Sequence, residues 1–414
     1  MSSLVNKPLT CAPTPIKGEK MRKGTRRVAA AVFALGLVAA ACGGDDSGSS
    51  DSTEAPATSE APSTEAPSTE APGGDELAAA QAVVDELRVI PTEIGVTVGP
   101  SAAVPTGLKV AWLACELPSC TEVGEDWPAI AEALGWELKV INVESASPGA
   151  GVQEAIDWGA NYIAISGSPV AAFQEQYDAA VAAGIKFAFA YNGEAPADGI
   201  LTSISGNDAV YNAGTRIANY IIADSGAAAH VLMVNIQMFP VLVAEENGIK
   251  DTLAAGCAAC TFDVLPVTIP DIGVNVPTLV ASYLQEHPDV NYISYAFSAL
   301  PIGVTAALQS AGLDGQVTQV GVDFDTTGLS EIVAGTHKAW TSNPKAYSSW
   351  IMAHAMVLDA VGDEFTEREA AETLPTMIVD DADTAQSILD GSPLQNWKGP
   401  EGYADQFLKL WGVA

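Results

Sequence analysis

The chain has 414 residues, of which 18 are Lys or Arg and 51 are Asp or Glu, so its formal net charge is −33 at pH 7. The first 41 residues contain seven of the basic residues and one of the acidic ones, which leaves a net charge of −39 on the rest. A field of this sign repels phosphates, so it excludes nucleic acids and anionic lipid headgroups as electrostatic partners.

Residues 21–42 have the order of a secretory signal. A basic head is followed by an apolar run over residues 28–40, which is too short for a membrane-spanning helix. Residues 39–42 read Ala-Ala-Ala-Cys and resemble a bacterial lipobox, with Ala39 where Leu is usual. The resemblance implies cleavage before Cys42 and a lipid on its sulfur, and the alternative is an ordinary cleaved signal peptide. We expect a signal over residues 1–42, with Met21 as the true start.

Residues 43–75 are predicted to be a disordered tether. The repeats TEAP and SEAP supply Pro and acidic residues, and large apolar side chains are missing. Such a segment cannot bury enough apolar surface to offset its ordering entropy. A glycosylated, mucin-like stalk is an alternative interpretation of the same repeats. A helix and linker are predicted over residues 76–106, between the tether and the domain. With the lipid at Cys42, the sequence predicts that this domain is extracytoplasmic and contacts the cell membrane only through its anchor.

Four of the six cysteines follow the tether, as Cys115 with Cys120 and Cys257 with Cys260. Four cysteines allow three pairings, and we favour the two local ones in an oxidising compartment. The second pair is formally a CxxC motif, so a thioredoxin-like redox site is the alternative; its predicted context, helix then strand, is the reverse of that motif's. The four histidines are scattered, so we expect no metal site and no cofactor.

Short apolar strands alternate with helices from residue 108 to residue 361. Strands are predicted at 108–115, 137–143, 162–166, 186–191, 201–205, 230–236, 262–268, 291–296, 317–322 and 338–342. Helices are predicted at 127–134, 149–158, 170–183, 209–223, 241–255, 276–286, 301–311 and 345–361. Continuously apolar strands separated by helices favour parallel sheets covered on both faces. The number of units exceeds one sheet and predicts an α/β fold of two doubly wound lobes.

Several local motifs occur in a recognisable order. They are Tyr162-Ile-Ala-Ile165 with Ser168-Pro169, Ser205-Gly206-Asn207-Asp208 ahead of Gly214, Gly321-Val322-Asp323, and LKLWGV over residues 408–413. In this order they resemble a type I periplasmic solute-binding protein of the ribose/galactose-like group, an ABC transporter substrate-binding lipoprotein. The resemblance extends from residue 107 to about residue 379.

The resemblance implies two parallel-sheet lobes joined by a three-strand hinge and closing on one small molecule. The first lobe would comprise 107–207 and 344–375, and the second 208–342 with 376–414 as its C-terminal segment and tail. The implied partner is an ABC permease, and the protein would be a monomer. The same fold could instead serve as a ligand sensor for a receptor.

Parallel sheets of this kind bind ligands at the carboxyl ends of their strands. We therefore expect the loops that follow the strands to line the binding groove. The expected ligand-binding residues are Glu116, Ser166, Ser168, Tyr191, Asn192, Asn207, Asp208, Phe239, Glu245, Phe297, Ser298, Asp323, Phe324 and Asn343. Glu245 stands where sugar-binding members commonly have Arg, and Ser298 stands in the place of the usual Asn. Asp323 is retained at a position that usually accepts hydrogen bonds from sugar hydroxyls.

The predicted groove loops contain no Lys or Arg. An anionic ligand enclosed there would lack a charge partner, which is costly. We therefore expect a neutral small molecule, a sugar or polyol first, with an apolar ring-containing compound or an amine as the alternative. No nucleophile elbow, P-loop or HExxH motif occurs, so we expect a protein that is not an enzyme.

Overall fold

The computed structural model describes residues 74–391 and 397–413. The predicted signal peptide, the lipidation site Cys42 and nearly all of the predicted tether lie outside these residues. The first helix, α1, spans Gly74–Leu87. Among the described residues, no helix is long and apolar enough to cross a membrane.

The first lobe is built around a parallel sheet of five described strands. Its elements are β1 (Lys109–Ala114), α2 (Pro118–Gly124), α3 (Trp127–Leu134), β2 (Glu137–Asn142), α4 (Gly149–Trp158), β3 (Tyr162–Ser166), α5 (Gln174–Ala182), β4 (Lys186–Ala190) and β5 (Ile200–Ile204). The strand order is β2-β1-β3-β4-β5. Successive side chains of a strand point to opposite faces, so Val110 and Trp112 pack on one side of the sheet and Ala111 and Leu113 on the other.

The second lobe repeats this arrangement. Its elements are α6 (Asn207–Ser225), β6 (His230–Asn235), α7 (Pro240–Gly256), β7 (Thr261–Pro266), α8 (Val276–Glu286), β8 (Tyr292–Tyr295), α9 (Val304–Ala311), β9 (Thr318–Val322), α10 (Thr326–Val333) and β10 (Ala339–Ser342). The chain then forms α11 (Lys345–Val361) and α12 (Arg368–Glu372) on the first lobe, β11 (Met377–Val379) and α13 (Ala382–Gly391) on the second, and finally α14 (Tyr403–Trp411). The sheet order is β11-β10-β9-β8-β6-β7, and β11 is antiparallel to β10.

Between β1 and β11, the chain passes between the two lobes three times. The crossings follow β5, β10 and α12, as the predicted hinge requires. They are tied together by hydrogen bonds: the backbone N–H of Ser205 donates to the carbonyl of Glu372 at 2.9 Å, and the hydroxyl of Thr376 donates to Asn343 Oδ1 at 3.0 Å. The prediction of two doubly wound lobes is confirmed.

The C-terminal helix packs on the first lobe, although the sequence assigns residues 376–414 to the second lobe and tail. Phe407 and Trp411 stack on Trp350 of α11, with ring centroids 5.6 and 5.5 Å apart. The Trp411 indole N–H also donates to His354 Nδ1 at 3.0 Å. Aromatic side chains bury large apolar areas. The aromatic side chains of α14 therefore hold this helix on the first lobe, although α14 follows the second lobe in sequence.

The N-terminal segment contacts both lobes. Helix α1 packs with Val84 and Leu87 in the core of the second lobe, and the guanidinium of Arg88 pairs with Asp380 at 2.6 Å. Further along, Glu367 of the first lobe accepts from the backbone N–H of Thr97 at 2.8 Å. The stretch predicted as a helix and linker thus bridges the lobes beside the three crossings.

Both local cysteine pairings are present in the structure. Cys115 is joined to Cys120 with their Cα atoms 5.5 Å apart, and Cys257 to Cys260 with theirs 5.3 Å apart. The second pair lies between the end of α7 and the start of β7. This is the helix-then-strand context expected of a structural disulfide here, and it differs from the strand-then-helix context of thioredoxin-like sites.

Candidate functional site

A cavity lies between the lobes at the carboxyl ends of their strands. Its volume is about 90 Å³, several times the ~10–15 Å³ that one water molecule needs, so it has room for a small molecule. The first lobe contributes Cys115, Leu117, Ser119, Cys120, Ser145, Ser166, Gly167 and Tyr191. The second lobe and the hinge contribute Val210, Ala213, Phe239, Val241, Leu242, Glu245, Ala296, Phe297, Val322, Asp323 and Asn343.

Half of the residues selected from the sequence line this cavity. They are Ser166, Tyr191, Phe239, Glu245, Phe297, Asp323 and Asn343. The structure places the other seven elsewhere, namely Glu116, Ser168, Asn192, Asn207, Asp208, Ser298 and Phe324. Six of these seven lie at or after the carboxyl ends of strands, which meet at one edge of a parallel sheet, whereas Glu245 lies on α7.

Three of the remaining residues hold the walls of the cavity together. The Glu116 carboxylate accepts from the backbone N–H and the hydroxyl of Ser145, each at 2.8 Å. The Ser168 hydroxyl donates to the carbonyl of Ser145 at 2.8 Å, and the Asn192 amide donates to the carbonyl of Ser168 at 2.5 Å. Their polar groups are thus engaged within the first lobe and do not line the cavity, and their contact with a ligand stays a prediction.

The other four lie in three different places. Asn207 and Asp208, on the first turn of α6, line a separate surface groove beside Arg368. Ser298 lines a crevice next to the cavity. Phe324 is 1% exposed and belongs to the apolar core of the second lobe. A strand-end position therefore brings a residue near the groove but does not fix the direction of its side chain.

A buried ion-pair centre adjoins the cavity, and the sequence analysis missed two of its three members. Lys345 Nζ lies 2.9 Å from Glu122 Oε2 and 3.3 Å from Asp323 Oδ1. Lys345 is only 3% exposed. The predicted groove loops contain no Lys or Arg, but Lys345, which opens α11 just beyond the last of them, places a cation beside the cavity. Glu122 lies on α2, a helix that the sequence analysis did not predict.

The two carboxylates compensate the charge of this lysine. Burial disfavours the charged form of Lys345, but Asp323 and Glu122 outweigh it and raise the lysine's pKa. Burial, assisted by Glu122 and opposed by Lys345, raises the pKa of Asp323 to about 6. Because Lys345 is already paired with carboxylates, it offers no free positive charge to an anionic ligand.

Glu245 is a second buried carboxyl group in the cavity wall. It is 1% exposed, and its Oε1 atom has no hydrogen-bond partner among the described residues. Burial and the neighbouring charge of Asp323 raise the pKa of Glu245 well above its usual value. Burial thus favours the protonated form of this side chain, and a protonated carboxyl can both donate and accept a hydrogen bond.

Two glycines determine how this glutamate is held. A methyl group at Gly214 of α6 would overlap the backbone carbonyl of Glu245, and one at Gly248 of α7 would overlap that of Tyr211. The two helices therefore touch backbone to backbone at this point. This close contact brings their cavity-facing residues into one surface.

The cavity is also lined by two non-glycine residues with left-handed backbone conformations. Tyr191 follows β4 with φ of 51°, and Asp323 follows β9 with φ of 63°. These positions correspond in the two lobes, because each follows the fourth strand of its lobe in chain order. Non-glycine residues adopt this region at a cost, and such residues cluster at functional sites. Burial and then the charge of Asp323 raise the pKa of the Tyr191 hydroxyl.

Comparison with known families decides the classification. Residues 118–363, more than half of the chain, match the model of the periplasmic binding protein domain. The chain belongs to this family. The comparison with curated proteins found no match.

Solved structures of periplasmic binding proteins share the fold. A 5-methylthioribose transporter solute-binding protein from Thermotoga lettingae is 14% identical, with a TM-score of 0.57 over 75% of this chain and 99% of the other. A periplasmic ribose ABC transporter protein from Conexibacter woesei is 20% identical, with a TM-score of 0.59 over 70% and 98%. An ABC transporter solute-binding protein from Mycobacterium smegmatis, solved with glycerol, is 19% identical, with a TM-score of 0.57 over 70% and 99%.

Proposed function

We propose that this periplasmic binding protein is the solute-binding component of an ABC importer and captures one neutral small molecule by lobe closure. The observation that carries the proposal is the cavity itself, which both lobes and the hinge line together. A ligand held there would contact both lobes at once and stabilise their closed arrangement, which a permease could recognise. Ligand capture of this kind requires no catalytic residue.

A sugar or polyol is the proposed ligand class. Hydroxyl groups can donate to Asp323 and exchange hydrogen bonds with the carboxyl group of Glu245, while Phe239 and Phe297 can cover the C–H faces of a sugar. The similar structures of proteins named for 5-methylthioribose and ribose support the same class. An anionic ligand is disfavoured because, among the described lining residues and their partners, the one lysine is already paired with two carboxylates.

Thermal-shift screening of the purified protein tests this class. Sugars and polyols, amines, organic acids and phosphate esters are each added in excess, and the melting temperature is recorded. A ligand at 100 times its Kd stabilises the folded state by about 2.7 kcal/mol, so a neutral sugar or polyol should raise the melting temperature clearly. If only acids or phosphate esters do so, the proposed ligand class is wrong.

We also propose that the protein is attached to the cell membrane through a lipid on Cys42. Metabolic labelling with a fatty-acid probe should mark the wild type and not the Cys42→Ser variant. Cys11→Ser is the matched control, because Cys11 precedes the predicted start and its replacement should leave the labelling unchanged. Equal labelling of the wild type and Cys42→Ser would contradict a lipid at this position.

A further inference from the structure

We infer that the ligand is amphipathic: a sugar or polyol that carries an apolar substituent, with its hydroxyl groups at Glu245 and Asp323 and its substituent against α6 and α7. This inference rests on the proposed function and narrows its ligand class.

The second-lobe side of the cavity is largely apolar. Helix α6 contributes Val210 and Ala213, and helix α7 contributes Val241 and Leu242. Because the two helices touch backbone to backbone at Gly214, these four side chains form one continuous surface. An unsubstituted polyol would place hydroxyl groups against it, and an unpaired hydroxyl removed from water costs about 1–3 kcal/mol.

Several polar groups of the cavity wall already have partners. The Ser145 hydroxyl donates to Glu116, and Asn343 Oδ1 accepts from Thr376. Asp323 is paired with Lys345. These engagements reduce the hydrogen-bonding capacity that the wall offers to the hydroxyl groups of a ligand.

Glu245 marks the polar end of the site. Its Oε1 atom is buried without a hydrogen-bond partner in the described part of the chain, and the atom belongs to a residue that lines the cavity. A buried acceptor in this state is costly unless a ligand donates to it. Asp323 lines the same cavity, so two carboxyl acceptors are available to a ligand there, and the apolar side chains of α6 and α7 line it with them.

The test compares free and substituted sugars on the same protein. Ribose, galactose and glucose are each titrated calorimetrically as the free sugar, the methyl glycoside and the phenyl glycoside. For the sugar that binds most tightly, we expect a substituted glycoside to bind at least tenfold more tightly than the free sugar. Equal or weaker binding of every glycoside would overturn the inference while leaving the proposed function intact. Failure of every free and substituted sugar, together with no response to any sugar or polyol in the thermal-shift screen, would instead remove both.

Two variants locate the contacts. Leu242→Asn keeps the side-chain size but makes it polar, so it should reduce the gain from the substituent to less than threefold. Val210→Thr, which keeps the side-chain shape, should act in the same direction and covers the case in which Leu242→Asn does not fold. If both variants fold and the substituted glycoside keeps its full gain in affinity over the free sugar, the substituent does not lie against α6 and α7.

The polar end is tested by a pair of changes at one position. Glu245→Gln keeps an acceptor oxygen and should retain affinity within about threefold, whereas Glu245→Leu should lose at least tenfold for free and substituted sugars alike. Equal affinities of the two variants would overturn the role of Oε1. An aminosugar that binds more than tenfold tighter than its neutral parent would overturn the neutral character of the ligand.

Discussion

Replacing Lys345 with Met is expected to lower the free energy of unfolding by about 3–5 kcal/mol, because it leaves two buried carboxylates without their cation. Lys345 Nζ lies 2.9 Å from Glu122 and 3.3 Å from Asp323, and the three side chains are almost fully buried. Met has a similar length and fills the same space, so lost packing contributes little. Urea denaturation of the purified variant and wild type measures the difference.

Lys139→Met is the matched control. Lys139 Nζ also lies 2.9 Å from a carboxylate, that of Glu154, but the two side chains are 31% and 54% exposed. Exposed pairs of this kind contribute about 0–1 kcal/mol. Neutralising both carboxylates, as Glu122→Gln and Asp323→Asn, should restore part of the stability lost in Lys345→Met. If Lys345→Met lowers the free energy of unfolding no more than Lys139→Met does, the buried ion pair contributes little to stability.

Gly248→Ala is expected to destabilise the protein by about 3 kcal/mol, at the upper end of the range for overpacked cores. The added methyl group would overlap the carbonyl oxygen of Tyr211 on α6, and a backbone atom cannot rotate away. Relief requires α6 and α7 to separate, which would also shift Glu245. We therefore expect weaker binding of any ligand found in the screen, measured by calorimetry beside the thermal melt.

Gly256→Ala provides the control on the same helix. Its added methyl group would meet only the Cδ1 atom of Ile222 at 3.2 Å, the far end of a flexible side chain. Ala has a higher helix propensity than Gly by about 1 kcal/mol, so this variant should be as stable as the wild type or more so. If Gly248→Ala behaves like Gly256→Ala, the helices are less tightly apposed than the structure has them.

The local pattern of the sequence determined most of the elements. Gly149–Trp158, Tyr162–Ser166 and Lys345–Val361 have their predicted bounds. Two of these are helices that end at a glycine in the left-handed conformation, Gly159 and Gly362, and such C-caps are readable from sequence. The alternation of apolar strands and helices was sufficient for the two-lobe prediction, because both faces of each sheet are covered.

Only the tertiary structure decided which side chains meet in the cavity. Helix α2 and strand β11 are short, seven and three residues, and are stabilised mainly by partners distant in sequence, as in the pairing of β11 with β10. Lys345 and Glu122 meet across more than 200 residues of chain, so no local pattern joins them. Glu116 and Asn192 follow strands as predicted, but hydrogen bonds within the first lobe turn their polar groups away from the cavity. The sequence alone thus determined periodic elements and strand ends, since these depend on neighbouring residues. Side-chain direction and charge pairing depend on the packing of distant segments, which only the folded chain decides.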